Sequence, residues 1–344
     1  MNSAPTQPVL LAAPADLPRW ALQTVNLADP RLGTTIHSCS DDFFAPAARM
    51  LAAAPAVFVP GLYDANGKWM DGWESRRRRH GGHDWCIVRL GCPGVLVGVD
   101  LDTHFFTGNY PPAASLDGCP DGANPDDPAS WKPLLETTPL AGNQHHLLPL
   151  PAAQATLFSH LRLNIFPDGG IARLRVYGRA GRVTTTADDA GRIDLAALVN
   201  GARALAWNDA HFGCVTNMLL PGRGIDMGDG WETRRRREPG HDWCVIALAA
   251  VGQVARVEID TAHFKGNYPD RVSLQAACLD AEPDDDTLAQ SAHWPLLLPE
   301  QPMSADSIHR FDLPNGYGAI SHVRLNLFPD GGVSRLRLWG VAKP

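Results

Sequence analysis

The sequence has little of what marks a metal, nucleotide or membrane protein. Cys-x-x-Cys and His-Glu-x-x-His are absent, so no metal site of recognised spacing is readable, and neither a metal nor another cofactor is expected. No phosphate-cradling glycine loop precedes a helix, and no Gly-x-Ser-x-Gly elbow occurs. No run approaches the roughly 18 apolar residues of a spanning helix, so no membrane partner is expected. Excess basic charge is also missing. The net charge is −7, and no long basic face points to nucleic acid. Seven cysteines, an odd number, make no disulfide framework. Cys86 and Cys244 follow tryptophans in matched apolar runs and read as small core residues. The N-terminus lacks a basic n-region and does not read as a signal peptide, which leaves the reducing cytosol as the expected compartment.

What the chain does have is a block that occurs twice. Residues 71–86 read DGWESRRRRHGGHDWC and residues 229–244 read DGWETRRRREPGHDWC, with 13 of 16 positions identical. A second pair, SHLRLNIFPDGGIARLRVYG at 159–178 and SHVRLNLFPDGGVSRLRLWG at 321–340, matches at 14 of 20. Between them, DLDTHFFTGNYP at 100–111 answers EIDTAHFKGNYP at 258–269. Upstream, Asn26-Leu27-Ala28 and Phe44 answer Asp194-Leu195-Ala196 and Phe212 more weakly. A core-only constraint keeps apolar character and lets polar residues drift. Here the charged and aromatic residues stay, so each copy needs the same polar architecture. This is a tandem duplication of a whole domain. The expected organisation is an N-terminal extension at 1–22, a first repeat at 23–180, a Gly/Thr/Asp-rich linker at 181–191 and a second repeat at 192–344. The first copy carries 27 residues from Phe44 to Asp71 against 17 from Phe212 to Asp229, a local loop insertion.

The local pattern is β. Arg173–Tyr177 and Arg335–Trp339 alternate charged and apolar residues, the period of half-buried strands. Val95, Val97, Val99 and Leu101 are expected on one strand face, and Ala255, Val257 and Ile259 on another. PDGG at 167–170 and 329–332 reads as a tight hairpin turn. Helical periodicity is weak, with short candidates near 45–54 and 194–206. The expected fold is all-β, two tandem antiparallel β-sandwich or jelly-roll domains.

On a strand, Arg76 and Arg78 face one way and Arg77 and Arg79 the other. One pair is then buried against carboxylates, or the strand is an exposed edge. Asp100 and Asp102, like Glu258 and Asp260, share a face and are candidate partners. An Arg–Asp network ordering the sandwich and a guanidinium fork for a substrate carboxylate both remain open. His83-Asp84 and His241-Asp242 open strand-like runs, where histidine suits proton transfer. Gly-Asn-Tyr supplies an amide, a phenol and room for a close approach. His160, Arg162 and Asn164, with His322, Arg324 and Asn326, form a polar stripe on one strand face. His145-His146 falls in an unmatched loop and reads as solvated.

DGWESRRRR, GHDW, DTAHFKGNYP, LLPGRGIDMGDGWETRR and FPDGGVSRLR together resemble the allantoicase (allantoate amidinohydrolase) family, over roughly 20–342. The resemblance implies two galactose-binding-like jelly-roll domains. It implies hydrolysis of allantoate to ureidoglycolate and urea in purine (allantoin) breakdown, by a hydrolase acting on C–N bonds of linear amidines. It also implies a homo-oligomer, but it assigns no residue roles.

Those roles come from the residues. Breaking a C–N bond to a ureido group needs a general acid and a water-activating base, and the carboxylate needs a cationic clamp. His104 aligns with Ala262, while His263 aligns with Phe105 and Lys265 with Thr107, so the second copy is expected to hold the more complete site. Its candidate acids and bases are Glu232, His241, Asp242, Asp260 and His263. Its substrate-binding candidates are Arg235, Arg237, Lys265, Asn267 and Tyr268. The first-copy counterparts are Glu74, Arg77, Arg79, His83, Asp84, Asp102 and Asn109. The alternative is a tandem carbohydrate- or small-ligand-binding sandwich without catalysis, with Trp73, Trp85, Trp231 and Trp243 stacking on sugars. A purely structural oligomer leaves the matched polar loops unexplained.

Overall fold

One long strand organises each repeat. In the computed structural model, which describes residues 9–22, 24–151, 156–181, 187, 190–314 and 317–343, Asp84–Asp102 and Asp242–Asp260 each run for 19 residues. The chain divides into two compact units, Met1–Gly181 and Arg182–Pro344. Residues 182–186 and 188–189 of the expected linker lie outside the described residues.

Each unit is built on an antiparallel eight-stranded sheet. In the first the order is Lys132–Pro139, Ala113–Pro120, Phe158–Phe166, Asp84–Asp102, Arg173–Ala180, Val25–Asn26. In the second, Leu296–Pro302, Arg271–Ala277, Ile320–Phe328, Asp242–Asp260, Arg335–Ala342 and Ile193–Asp194 repeat that order. The long strand serves two sets of neighbours. Its first half pairs with Phe158–Phe166 and Thr35–Cys39. Its second half pairs with Arg173–Ala180 and Leu147–Pro149. These two halves contribute to the two layers of a β-sandwich. Leu101, Leu163, Ile165, Leu174 and Val176 are fully buried in the first unit, as are Ile259, Leu325, Leu327, Leu336 and Leu338 in the second. Burying each contributes about 1.5–3 kcal/mol. Cys86 and Cys244 are buried among them. Residues 9–22 are tied to the first unit, where Leu10–Leu11 pairs with Val57–Phe58 and the Ala12 amide donates to the Ala56 carbonyl.

Several local expectations change. The strands joined by 167–172 lie on opposite sides of Asp84–Asp102, so PDGG opens a crossover and not a hairpin. Gly170–Ile171 pairs instead with Trp73–Glu74, and Gly332–Val333 with Trp231–Glu232. Residues 76–79 and 234–237 follow those two-residue strands as extended coil, so the arginines never enter the sheet. Val95 and Val97 do not share the face of Val99 and Leu101. A register shift between the pairs Tyr177–Gly98 and Gly178–Leu96 reverses the phase, so Leu96 points inward there. Ala255 sits at the equivalent shift. The helical candidates contain only the short 3-10 turns Ala47–Leu51 and Leu198–Asn200, and strand Arg203–Trp207 occupies the end of the second.

Candidate active site

The DGWE segment is anchored from both sides before it reaches the surface. Trp73 and Trp231 are fully buried, and their indole N–H groups donate to the Asp41 and Asp209 carbonyls at 2.9 Å. Arg335 and Asp229, 4% and 5% exposed at the side chain, form a buried ion pair at 2.7 Å, and Arg173 and Asp71 form its counterpart. Removing one partner of such a pair leaves an uncompensated charge, at a cost of about 3–5 kcal/mol. Glu74 and Glu232 follow on this fixed backbone.

Three loops are then joined by hydrogen bonds that recur in both repeats. The Ser75 and Thr233 amides donate to the Gly169 and Gly331 carbonyls, both at 3.1 Å. The Arg78 and Arg236 amides donate to Oδ2 of Asp168 and Asp330, at 2.7 and 2.8 Å. The Gly170 and Gly332 amides donate to the Asn109 and Asn267 carbonyls, at 2.8 and 2.7 Å. Gly331 has φ of 139°, and a Cβ there would lie 2.5 Å from the Pro269 nitrogen, so only glycine allows this approach.

The joined loops enclose one cleft per repeat, of about 440 Å³ in the first and 540 Å³ in the second, within the roughly 300–1,000 Å³ of small-molecule sites. Glu74, Arg77, Arg78, Asn109, Tyr110 and Asp168 line the first. Glu232, Arg235, Arg236, Asn267, Tyr268 and Asp330 line the second. Asn109 Nδ2 donates to Glu74 Oε1 at 2.6 Å, and Asn267 makes the same contact to Glu232. Burial holds the Glu74 carboxyl above its ordinary value, against the Asn109 hydrogen bond and the Lys68 charge. Arg78 and Arg236 are held by the buried carboxylates Asp84 and Asp242, at 3.3 and 2.6 Å. Arg77 and Arg235 are exposed and pair with no carboxylate among the described residues. Each cleft therefore offers a fixed glutamate, a free guanidinium, and an aspartate with one oxygen held by a backbone amide.

Of the residues expected at the site, Glu232, Arg235, Asn267 and Tyr268, with Glu74, Arg77 and Asn109, line the clefts. Asp84 and Asp242 lie behind them as counter-ions. The others are placed elsewhere. His83 and His241 meet Oδ1 of Asn164 and Asn326, at 3.3 and 3.2 Å, with their rings against Phe166 and Phe328. Burial pushes the His241 pKa down. Asp260 is buried, accepting from the Ala262 amide and from Arg223. His263 Nε2 donates to the Gly224 carbonyl at 2.8 Å, and its amide is held by Asp306. His263 and Phe105 both occupy a left-handed turn position, with φ of 71° and 69°, and neither lines the main cleft of its repeat. Arg79, Arg237 and Lys265 are exposed beyond the cleft linings.

Asp100 and Asp102 are not partners of the arginine block, whose carboxylates are Asp41, Asp84 and Asp168. They hold histidines instead: His104 Nδ1 donates to Asp102 at 2.6 Å and His145 Nδ1 to Asp100 at 2.8 Å. Asp102, His104 and His145 are the one group among the described residues with ligand-type atoms within 4.8 Å of one another. Yet His145 also donates from Nε2 to the Ala13 carbonyl at 3.0 Å, so the ring is a cation and not a lone-pair donor. The Asp100 hydrogen bond pushes its pKa up to about 9. His145 is thus built into the fold, as is His146, which donates to the Leu101 carbonyl.

Sequence reasoning missed Asp168 and Asp330, Ser75 and Thr233, and Arg78 and Arg236. The signal was available in the FPDGG blocks, where a charged residue is kept in both copies. A turn needs a small polar residue there, not necessarily an acid.

The allantoicase repeat family model matches residues 25–181 and 193–343. The chain is 56% identical over 335 residues to the probable allantoicase 2 of Burkholderia pseudomallei, covering 96% of this chain and 99% of that one. It is 55% identical over 327 residues to the probable allantoicase of Ralstonia nicotianae, covering 94% and 96%. The crystal structure of Saccharomyces cerevisiae allantoicase superposes with a TM-score of 0.76 at 34% identity, covering 92% and 93%. The duplicated cleft, its scaffold and these likenesses agree: the chain belongs to the allantoicase family.

Proposed function

We infer that the protein is a hydrolase that converts allantoate and water to ureidoglycolate and urea, in purine (allantoin) degradation. The observation that carries the reading is a cleft with a fixed glutamate beside an unpaired arginine, in a chain that matches allantoicases over nearly its whole length. Allantoate bears one carboxylate and two ureido groups on a single carbon. Arg235 clamps the carboxylate as a planar fork, and Asp330 and Tyr268 meet ureido N–H and carbonyl groups. Urea leaves poorly unless its nitrogen is protonated as the C–N bond breaks. Glu232, oriented by Asn267, serves as the group that takes a proton from water and returns one to the leaving nitrogen. Asp242 acts behind them by holding Arg236. Sugar stacking is disfavoured, because Trp73 and Trp231 are fully buried and cannot meet a ring, while the half-buried Trp85 and Trp243 line neither cleft and Arg324 covers Trp243.

The repeats are taken as 23–180 and 192–344, each with jelly-roll wiring. A cytoplasmic homo-oligomer is proposed alongside; the seven cysteines are free thiols, which suits a reducing compartment. The test is a urea assay on allantoate, allantoin and arginine. Release from allantoate with little from the other two is expected, and no release from allantoate ends the reading.

A further inference from the structure

The two repeats hold the same cleft, not one site and a relic. All eleven residues lining the second cleft have a counterpart lining the first, and nine of those eleven pairs are identical. The two exceptions are Ser75 for Thr233, which make the same backbone contacts, and Pro112 for Asp270.

Part of this identity is explained by folding. Gly169 and Gly331 allow the close approach, and the Asp168 and Asp330 carboxylates cap an arginine amide. Folding does not explain Arg77 and Arg235. Both line their clefts, are exposed and make no ion pair among the described residues. Arg79 and Arg237 are kept and exposed as well, but only Arg77 and Arg235 combine this with a place in the clefts, where a ligand gives a reason to keep them.

The flanking charge differs between the repeats. The first repeat has Thr107 where the second has Lys265, and so lacks that cation. Its longer loop brings Lys68 to a recess that shares Glu74 and Asn109 with the main cleft, close enough for its charge to act on Glu74. The aligned residue in the second repeat is Asp226. Lys265 is exposed beyond the second cleft, where its charge acts on Asp306. The sequence difference that set the repeats apart, His263 against Phe105, lies off the lining of both main clefts.

We propose that each chain carries two active sites, one in each repeat, and that both hydrolyse allantoate. This rests on the functional reading above. In each cleft the oxygen of water bonds to the carbon that bears the carboxylate. The C–N bond to one ureido group breaks with its electron pair going to nitrogen. A proton from that water ends on the nitrogen, so urea leaves and the carbon keeps a hydroxyl. Glu74 and Glu232 relay the proton, and Arg77 and Arg235 hold the carboxylate.

The experiment uses the full chain with Glu74→Gln, Glu232→Gln and both together, assayed for urea release from allantoate. Two independent sites predict that each single variant keeps about half the kcat per chain at unchanged KM. The double variant should lose about 10²-fold or more. One dead and one unaffected single variant would overturn the proposal in favour of a single site. Two dead single variants would overturn it in favour of one composite site, and a double variant with full turnover would remove the glutamates from the chemistry. A wild-type chain that releases no urea defeats the functional reading instead, so the two failures are distinguishable. If a glutamine variant melts early, Arg77→Gln and Arg235→Gln carry the same test at exposed positions. Each alone should give a biphasic saturation curve, half the turnover at the original KM and half at a KM raised about 10–100-fold. Both together should give one raised KM. A silent variant at either position counts against two sites.

Discussion

At the scale of single residues, the four-arginine run divides into two jobs by alternation. Arg76 and Arg78 turn to Asp41 and Asp84; Arg77 turns to the cleft. The run reads as one charged block, but a permanent cation either finds a carboxylate or stays in water, and here Arg76 and Arg78 each pair with one while Arg77 pairs with none among the described residues. The alternation is readable from the sequence, whereas the acids that meet Arg76 and Arg78 are set by the fold, one in a loop 35 residues away and one at the start of the strand 6 residues on. Histidine shows the reverse case. His263 invites a catalytic role because its aligned partner cannot move protons, yet its ring is spent on the Gly224 carbonyl. His263→Ala should lower the melting temperature through loss of that bond, worth about 1 kcal/mol, and leave turnover on allantoate intact. A fall in kcat of about 10²-fold in folded protein would return the ring to the chemistry.

At the scale of elements, the repeated blocks are legible because they are polar, but repetition does not distinguish a residue that touches substrate from one that touches another side chain. His83-Asp84 and His241-Asp242 recur because Asn164, Asn326, Arg78 and Arg236 recur, and each needs its partner. The N-terminal segment is the element with no counterpart to compare. It is held where His145 donates to the Ala13 carbonyl, while Asp100, Asp102 and His104 face the same ring and Arg173, Arg175 and Tyr177 line the adjoining recess. Because the folded pKa, about 9, lies above the ordinary value of 6.5, the contact stabilises fully below pH 6.5 and is lost as pH rises through about 9. By strand register the second repeat has Ile308 at this position. His145→Ile should therefore cost on the order of 2 kcal/mol at pH 6 and progressively less towards pH 9.5. Melting curves across that range check it, and a pH-independent difference would show that the ring acts by packing alone.

At the scale of the molecule, the all-β duplicated fold is legible and its wiring is not. Alternation in Arg173–Tyr177 announces a strand, but no local signal says that Phe158–Phe166 and Arg173–Ala180 flank a third strand laid down some 60 residues earlier. Register shifts hide the inward face in the same way, since one extra residue exchanges the two faces and leaves composition untouched.

The 19-residue strand has one more consequence, for how each repeat comes apart. Asp84–Asp102 is hydrogen-bonded to one layer through its first half and to the other through its second. Neither layer can shed its central ladder without unzipping a strand that the other also holds. Amide exchange by local opening normally divides a domain into segments of unequal protection. Here the protected amides of 84–90 and 96–102 should exchange together, with one opening free energy, as should those of 242–248 and 254–260. The two layers of a repeat behave as a single cooperative unit because they share a backbone, and the joined loops at the cleft ride on it.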